Sequence, residues 1–176
     1  MASKRILSAL VLLIAALYTQ WLTEYDGRHN DPTLTATPRP APNGMVRIAK
    51  VIDGDTIELE GGARVRFIGI NTPETVDPRR PVECFGKEAS DYAKTLLNDG
   101  IVRLEKDISD TDKYGRLLRY VYLPDGTFVN LKLVEDGYAY ASAYPPDIAH
   151  TKEFSAAQTA ARLATRGLWA SCPVKK

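Results

Sequence analysis

Three short stretches, Met45-Val-Arg-Ile48, Thr56-Ile-Glu-Leu59 and Arg64-Val-Arg-Phe-Ile68, alternate polar and apolar side chains. This is the pattern of half-buried strands. Gly54 and the pair Gly61-Gly62 stand between them as turn residues. Ile101-Val-Arg-Leu104 and Leu117-Leu-Arg-Tyr-Val-Tyr-Leu123 add two more strands. Five strands so short and so spaced point to a small, strongly bent sheet or a closed barrel.

Helical segments interrupt and follow the strands. Lys87 to Asn98 carries Ala89, Tyr92, Ala93, Leu96 and Leu97 on one side, with Gly100 near its end. Asn130 to Glu135 is short, turns Leu131 and Val134 inward and stops at Gly137. His150 or Thr151 opens a last helix whose inner stripe is Phe154, Ala157, Ala161 and Ala164. Gly167 closes it, and Leu168 and Trp169 pack back onto the body. The fold expected is α+β: a mainly β, five-stranded barrel with three helices. It contains no internal repeat and no second domain.

The N-terminus differs in character. Lys4 and Arg5 precede an uncharged run from Ile6 to Leu17, and apolar residues continue to Trp21-Leu22. Residues 1–22 therefore read as an N-terminal hydrophobic helix, either a signal peptide or an uncleaved membrane anchor. No small-residue cleavage pattern follows the run, which is also short for a full span of about 20 residues. Residues 23–43, with Pro32, Pro38, Pro40 and Pro42, read as a flexible linker. The domain proper is expected over 44–172, with 173–176 as a tail. This arrangement places the domain outside the cytoplasm, secreted or held at the membrane by the N-terminal segment. Such a setting favours a disulfide between the chain's two cysteines, Cys84 and Cys172. Closing so long a loop would contribute roughly 4 kcal/mol. Two free thiols are the alternative. Zinc would need more soft ligands than His29 and His150 provide.

Composition sets the limits of the functional reading. Of the 176 residues, 44% are hydrophobic and 26% charged, which suits an ordinary folded core. The formal charge of +1 carries no global signal for a polyanion, so any such partner must be met by a local cleft. Asp53-Gly54-Asp55 lies at a turn between strands, where alternation predicts that one carboxylate organises the turn and the other faces a cleft. Asn71-Thr-Pro-Glu74 makes a stiff loop with an amide oxygen and a carboxylate close together. Oxygen donors of this kind suit calcium rather than zinc. Arg66 leads into that loop on a partly buried strand, where it needs an anionic partner: a protein carboxylate or a substrate phosphate. Arg116, beside Lys113 and Tyr114, can grip a phosphate with two N–H groups. Tyr138, Tyr140 and Tyr144 are candidates for an aromatic wall or for ordinary packing.

Taken in order, Val51-Ile-Asp-Gly-Asp-Thr56, Arg66-Phe-Ile-Gly-Ile-Asn-Thr-Pro-Glu74 and Asp112-Lys-Tyr-Gly-Arg116 resemble the staphylococcal nuclease (thermonuclease) family. Val129-Asn-Leu-Lys-Leu-Val134 with Gly137, and Gly167-Leu-Trp169, look like it too. The resemblance covers roughly residues 44–170. It implies an oligonucleotide-binding (OB-like) barrel with three helices, and calcium-dependent hydrolysis of DNA and RNA to 3′-phosphate products. By the same resemblance Asp55 is a calcium ligand, Thr72 offers its backbone carbonyl, and Asn71 its amide oxygen. Arg66 and Arg116 are the phosphate-binding arginines, and Glu74 positions or deprotonates the attacking water. Lys113 and Tyr114 lie at the nucleotide end of the cleft.

Two features depart from the family's best-characterised pattern. Asn71 stands where that pattern has a second aspartate, so calcium should be held more weakly. Residues 44–176 carry 19 Lys and Arg against 19 Asp and Glu, so long-range steering of nucleic acid should be weaker. The expected partners are DNA and RNA as substrates, single strands preferred, and the membrane if the N-terminal segment persists; the chain is expected to act as a monomer. The alternative reading is a non-catalytic OB-like module that binds nucleic acid or protein at the membrane.

Overall fold

A computed structural model describes residues 44–75 and 81–172. Strands β1 (Met45–Asp53), β2 (Thr56–Leu59) and β3 (Arg64–Phe67) follow one another as antiparallel neighbours. After β4 (Ile70–Asn71) and helix α1 (Gly86–Leu96) come β5 (Ile101–Glu105) and β6 (Leu117–Tyr122). β5 pairs antiparallel with both β1 and β6, and β6 pairs parallel with β3. The order β1-β2-β3-β6-β5 is thereby a closed barrel, which leaves no free sheet edge. β7 (Tyr140–Ala141) pairs with β4 as a separate two-stranded ribbon.

Alternation explains the barrel's filling. Val65 and Phe67 of β3 are buried, while Arg64 before them is exposed and Arg66 between them is half-buried. Ile57, Val102, Tyr120 and Val121 complete the interior with them. The β1–β2 register shifts between Val51 and Asp53, a bulge that bends the strand as it reaches the first carboxylate.

Helices α2 (Val129–Glu135), α3 (Thr151–Leu163) and α4 (Leu168–Ser171) complete the element order. α2 packs on α3 and on β6. Four helices are present among the described residues, three of them seven residues or longer. The α3 stripe is Phe154, Ala157 and Ala161; Ala164 follows the helix as its exposed C-cap, because the chain turns away there. Leu168 is buried at the start of α4, its N–H donating to Gly137 O at 2.8 Å.

Asn130 has a structural role that its place in a helix does not reveal. It is fully buried; its Oδ1 accepts the Val121 N–H at 2.9 Å, and its Nδ2 donates to Ile68 O at 2.9 Å. The side chain thus joins α2 to β6 and to the residue after β3. Asn130→Ala would strand a buried donor and a buried acceptor. It is expected to cost about 2–4 kcal/mol, read as a lower urea midpoint at unchanged slope. A loss under about 0.5 kcal/mol would mean that these groups find other partners.

The membrane contact expected of the N-terminal segment is corrected. Among the described residues no helix is long and apolar enough to cross a membrane. α3, with 13 residues, spans about 20 Å, against a hydrocarbon core of about 30 Å. The hydrophobic helix, signal peptide or anchor expected over 1–22, the linker over 23–43 and the tail over 173–176 lie outside the described residues.

Candidate active site

The β1–β2 turn, Asp53-Gly54-Asp55, presses against the loop that follows β4. A Cβ at Gly54 would lie 2.7 Å from Thr72 Cγ2, so only glycine allows this approach. The contact brings Asp55 under Thr72. Asp55 Oδ2 accepts the Thr72 N–H at 2.8 Å and the Thr72 hydroxyl at 3.0 Å, and Oδ1 accepts the Thr56 hydroxyl at 3.1 Å. Arg66 lies across the sheet from Thr56 and closes the set. Its guanidinium is 2.7 Å from Asp55 Oδ2 and donates to Asn71 Oδ1 at 2.9 Å. The anionic partner that Arg66 requires is thus a protein carboxylate, and its side chain remains 17% exposed toward the cleft.

Asp53 organises the turn. Its Oδ1 accepts the Gly54 N–H at 2.8 Å and the Thr75 hydroxyl at 2.7 Å. Burial pushes its carboxyl up from the ordinary value. The bonds from Thr75 and Gly54 oppose that shift, and the charges of Asp55 and Glu74 add to it. Both aspartates line the same cleft, so Asp53 is a cleft residue as well as a turn former.

Glu74 is half-buried on the same side. Its Oε1 accepts the Thr75 N–H at 3.0 Å, and its own N–H donates to Glu83 Oε2 at 3.2 Å. Arg116 arrives from the tight turn before β6. There Asp112 Oδ1 accepts the N–H groups of Tyr114 and Arg116 at 2.9 and 3.0 Å. Asp112 Oδ2 takes the Arg116 side chain through Nε and a terminal nitrogen, both at 2.7 Å. Burial pushes the Asp112 carboxyl up. The backbone and side-chain bonds from Arg116, the Tyr114 N–H and the Arg116 charge outweigh that effect and hold it below its ordinary value.

These elements enclose a cleft of about 340 Å³ holding Asp53, Asp55, Arg66, Asn71, Thr72, Glu74 and Arg116. A second cavity of about 520 Å³ adjoins it and shares Arg66 and Arg116. Lys113, Tyr114 and Tyr144 line that cavity, with Tyr114 72% and Tyr144 81% exposed. The Lys113 ammonium and the Arg116 guanidinium lie 5.0 and 5.6 Å from the Tyr114 ring centre. The other two tyrosines are packing residues. Tyr138 stacks on Tyr92 at 4.0 Å, and Tyr140 meets Trp169 edge-on at 5.4 Å. Cys84 and Cys172 are joined in a disulfide that spans 88 residues of sequence.

Among the described residues no group of three or more His, Cys, Asp or Glu is gathered to hold a metal. A metal here would therefore depend on neutral oxygens beside a carboxylate. Asp55, Asn71 and Thr72 line the cleft and offer only oxygen donors, a chemistry that fits a hard cation such as calcium. Two residues at or beside the cleft were not assigned a site role from the sequence. Arg64 lines the cleft and also pairs with Glu58 at 3.5 Å, whereas Glu83 stands behind the lining. Glu83 braces Glu74 from nine residues away, and no local pattern announces that; its only sequence signal is the neighbouring Cys84.

A family model described as "Staphylococcal nuclease homologue" matches residues 64–171. The chain is 36% identical to "Thermonuclease" of Staphylococcus hyicus over 174 residues, covering 96% of this chain and 99% of that protein. It is 44% identical to "Thermonuclease" of Staphylococcus intermedius over 125 residues, covering 69% and 74%. It is 37% identical to "SPbeta prophage-derived endonuclease YokF" of Bacillus subtilis (strain 168) over 129 residues, 70% of this chain and 43% of that protein.

Proposed function

Because this chain belongs to the staphylococcal nuclease family, we propose that it is a calcium-dependent phosphodiesterase. Its substrates are DNA and RNA, single strands in preference, and its products end in 3′-phosphate. One observation carries this reading: Arg66, Arg116, the half-buried Glu74 and the oxygen-bearing Asp55, Asn71 and Thr72 line one cleft. The exposed rings of Tyr114 and Tyr144 in the adjoining cavity support a preference for unpaired bases, which can stack on them. The disulfide supports work outside the cytoplasm.

In the mechanism proposed, Asp55, Asn71 and Thr72 would hold calcium, and calcium bound there would supply polarisation of a phosphate oxygen. Glu74 orients a water toward phosphorus and accepts its proton. The water oxygen bonds to phosphorus as the bond to the 5′ oxygen breaks. The 3′ side keeps the phosphate, and the released 5′ oxygen takes a proton from solvent. Arg66 and Arg116 donate to the equatorial oxygens as charge gathers there. Arg66 begins paired with Asp55 and Asn71, so it must give up part of that pairing to donate to a phosphate oxygen.

The test is hydrolysis of end-labelled single-stranded DNA by the full chain, with calcium raised from zero to about 10 mM, above the range of weak extracellular sites. Calcium-dependent cleavage is expected. Binding of DNA without cleavage at any calcium level would overturn the reading in favour of a binding module. Asn71→Asp adds the missing charge to the donor set. It is expected to lower the calcium needed for half-maximal cleavage by roughly tenfold. An unchanged calcium requirement would remove residue 71 from the ligand set.

A further inference from the structure

We infer that Glu83 is a positioning residue for Glu74, and that the Cys84–Cys172 disulfide holds Glu83 in place. This rests on the role proposed above for Glu74, and it concerns how that carboxylate is kept aimed.

The two glutamates grip each other's backbone. Glu74 N–H donates to Glu83 Oε2 at 3.2 Å, and Glu83 N–H donates to Glu74 O at 2.9 Å. Glu74 is therefore fixed on both sides of its α-carbon. On its other flank Thr75 is tied to Asp53 through its hydroxyl at 2.7 Å. A side chain on a braced peptide has fewer directions open to it, and a carboxylate that must hold a water in line depends on such restriction.

The turn that presents Glu83 is closed by one backbone bond. It runs from Glu83 to Gly86 at the head of α1, with Gly86 N–H donating to Glu83 O at 3.0 Å. No side chain caps α1, so its start lacks the stabilisation that a capping oxygen gives. Phe85 sits in the left-handed region at φ 68°, which is unfavourable for a bulky side chain. Gly86 is pressed so close to the catalytic loop that a Cβ there would lie 2.8 Å from Thr75 Cγ2 and 2.9 Å from Glu74 O. An uncapped, strained and crowded turn would relax if released. What opposes release is the Phe85 ring against Tyr138 at 5.3 Å and the covalent link from Cys84 to Cys172. Cys172 is anchored in turn, its N–H donating to Leu168 O at 3.0 Å beneath the buried Leu168. The bridge thus connects the end of α4 to the residue beside Glu83.

The experiment uses the full chain with single-stranded DNA at saturating calcium, together with amide hydrogen exchange at Glu74. Glu83→Ala keeps both cysteines and removes the side-chain acceptor of the Glu74 amide. It is expected to lower kcat about tenfold, with KM and the calcium requirement changed less than about twofold. Exchange of the Glu74 amide should accelerate. Glu83→Gln still offers a carbonyl oxygen to that amide and should restore kcat to within about twofold of the parent. The double variant C84A/C172A, assayed well below its melting temperature, should lower kcat and loosen the Glu74 amide as Glu83→Ala does. Unchanged kcat in Glu83→Ala, or equal losses in the Ala and Gln variants, would overturn the positioning role. A double variant with protected Glu74 exchange would overturn the role of the bridge. If the parent chain itself cuts nothing, the nuclease reading fails, and exchange at Glu74 still decides whether Glu83 grips it.

Discussion

Glu74→Gln is expected to lower kcat on single-stranded DNA by about 10²–10⁴-fold, the usual contribution of a positioned general base. The substitution keeps the length and shape of the side chain. The Gln carbonyl can still accept the Thr75 N–H that Glu74 Oε1 now accepts at 3.0 Å. The backbone bonds to Glu83 do not involve the side chain of residue 74 and persist. What disappears is the negative charge and the capacity to take a proton from water. KM and the calcium requirement should therefore change little, because neither arginine nor any proposed ligand is altered. Steady-state kinetics over a calcium series separates these quantities. A loss below about tenfold would show that proton transfer is not the task of Glu74 and that water is oriented by several groups together.

Arg116→Ala is expected to lower kcat by about 10²–10³-fold, comparable to removing one donor from an oxyanion site. Arg116 is fixed before any substrate arrives. Asp112 holds its guanidinium through two nitrogens at 2.7 Å and also binds its backbone N–H at 3.0 Å. The remaining N–H groups are left for phosphate. Because the folded carboxyl of Asp112 lies below its ordinary value, this orientation survives mild acid and is lost only as pH falls through that lowered value. Arg116→Lys should fall between parent and Ala, since it keeps the charge and loses the two-pronged geometry. Full turnover in a folded Arg116→Ala protein would sink the assignment. The turn itself should remain formed, because Asp112 Oδ1 still accepts the Tyr114 N–H.

The barrel was legible because its strands are amphipathic. The alternation in Arg64-Val65-Arg66-Phe67 assigns inside and outside residue by residue, and the structure buries Val65 and Phe67 accordingly. The parallel pairing of β3 with β6 was not legible. Period-two alternation says which face a strand buries and is silent about its neighbour. The tyrosines illustrate the same limit. Tyr138, Tyr140 and Tyr144 are alike in sequence, yet two pack against Tyr92 and Trp169 and one lies open beside the cleft. Asn130 reads as a polar residue at a helix start, and only the folded chain turns it into a buried link between α2 and β6.

The sequence by itself determined the faces of β3, most of the α1 and α3 stripes and the oxygen-only chemistry of the Asn71 loop, and it marked Arg66 and Arg116 as the arginines proposed to meet a phosphate. These follow from side-chain type and short spacings, which are local. The tertiary structure alone decided that Asp53 lines the cleft as well as the turn, that Arg66 is paired with Asp55, and that Glu83 braces Glu74 beside a disulfide to Cys172. Each of these joins residues whose distance in space is set by closure of the barrel and by the packing of α4 near α1. No local pattern encodes such distances.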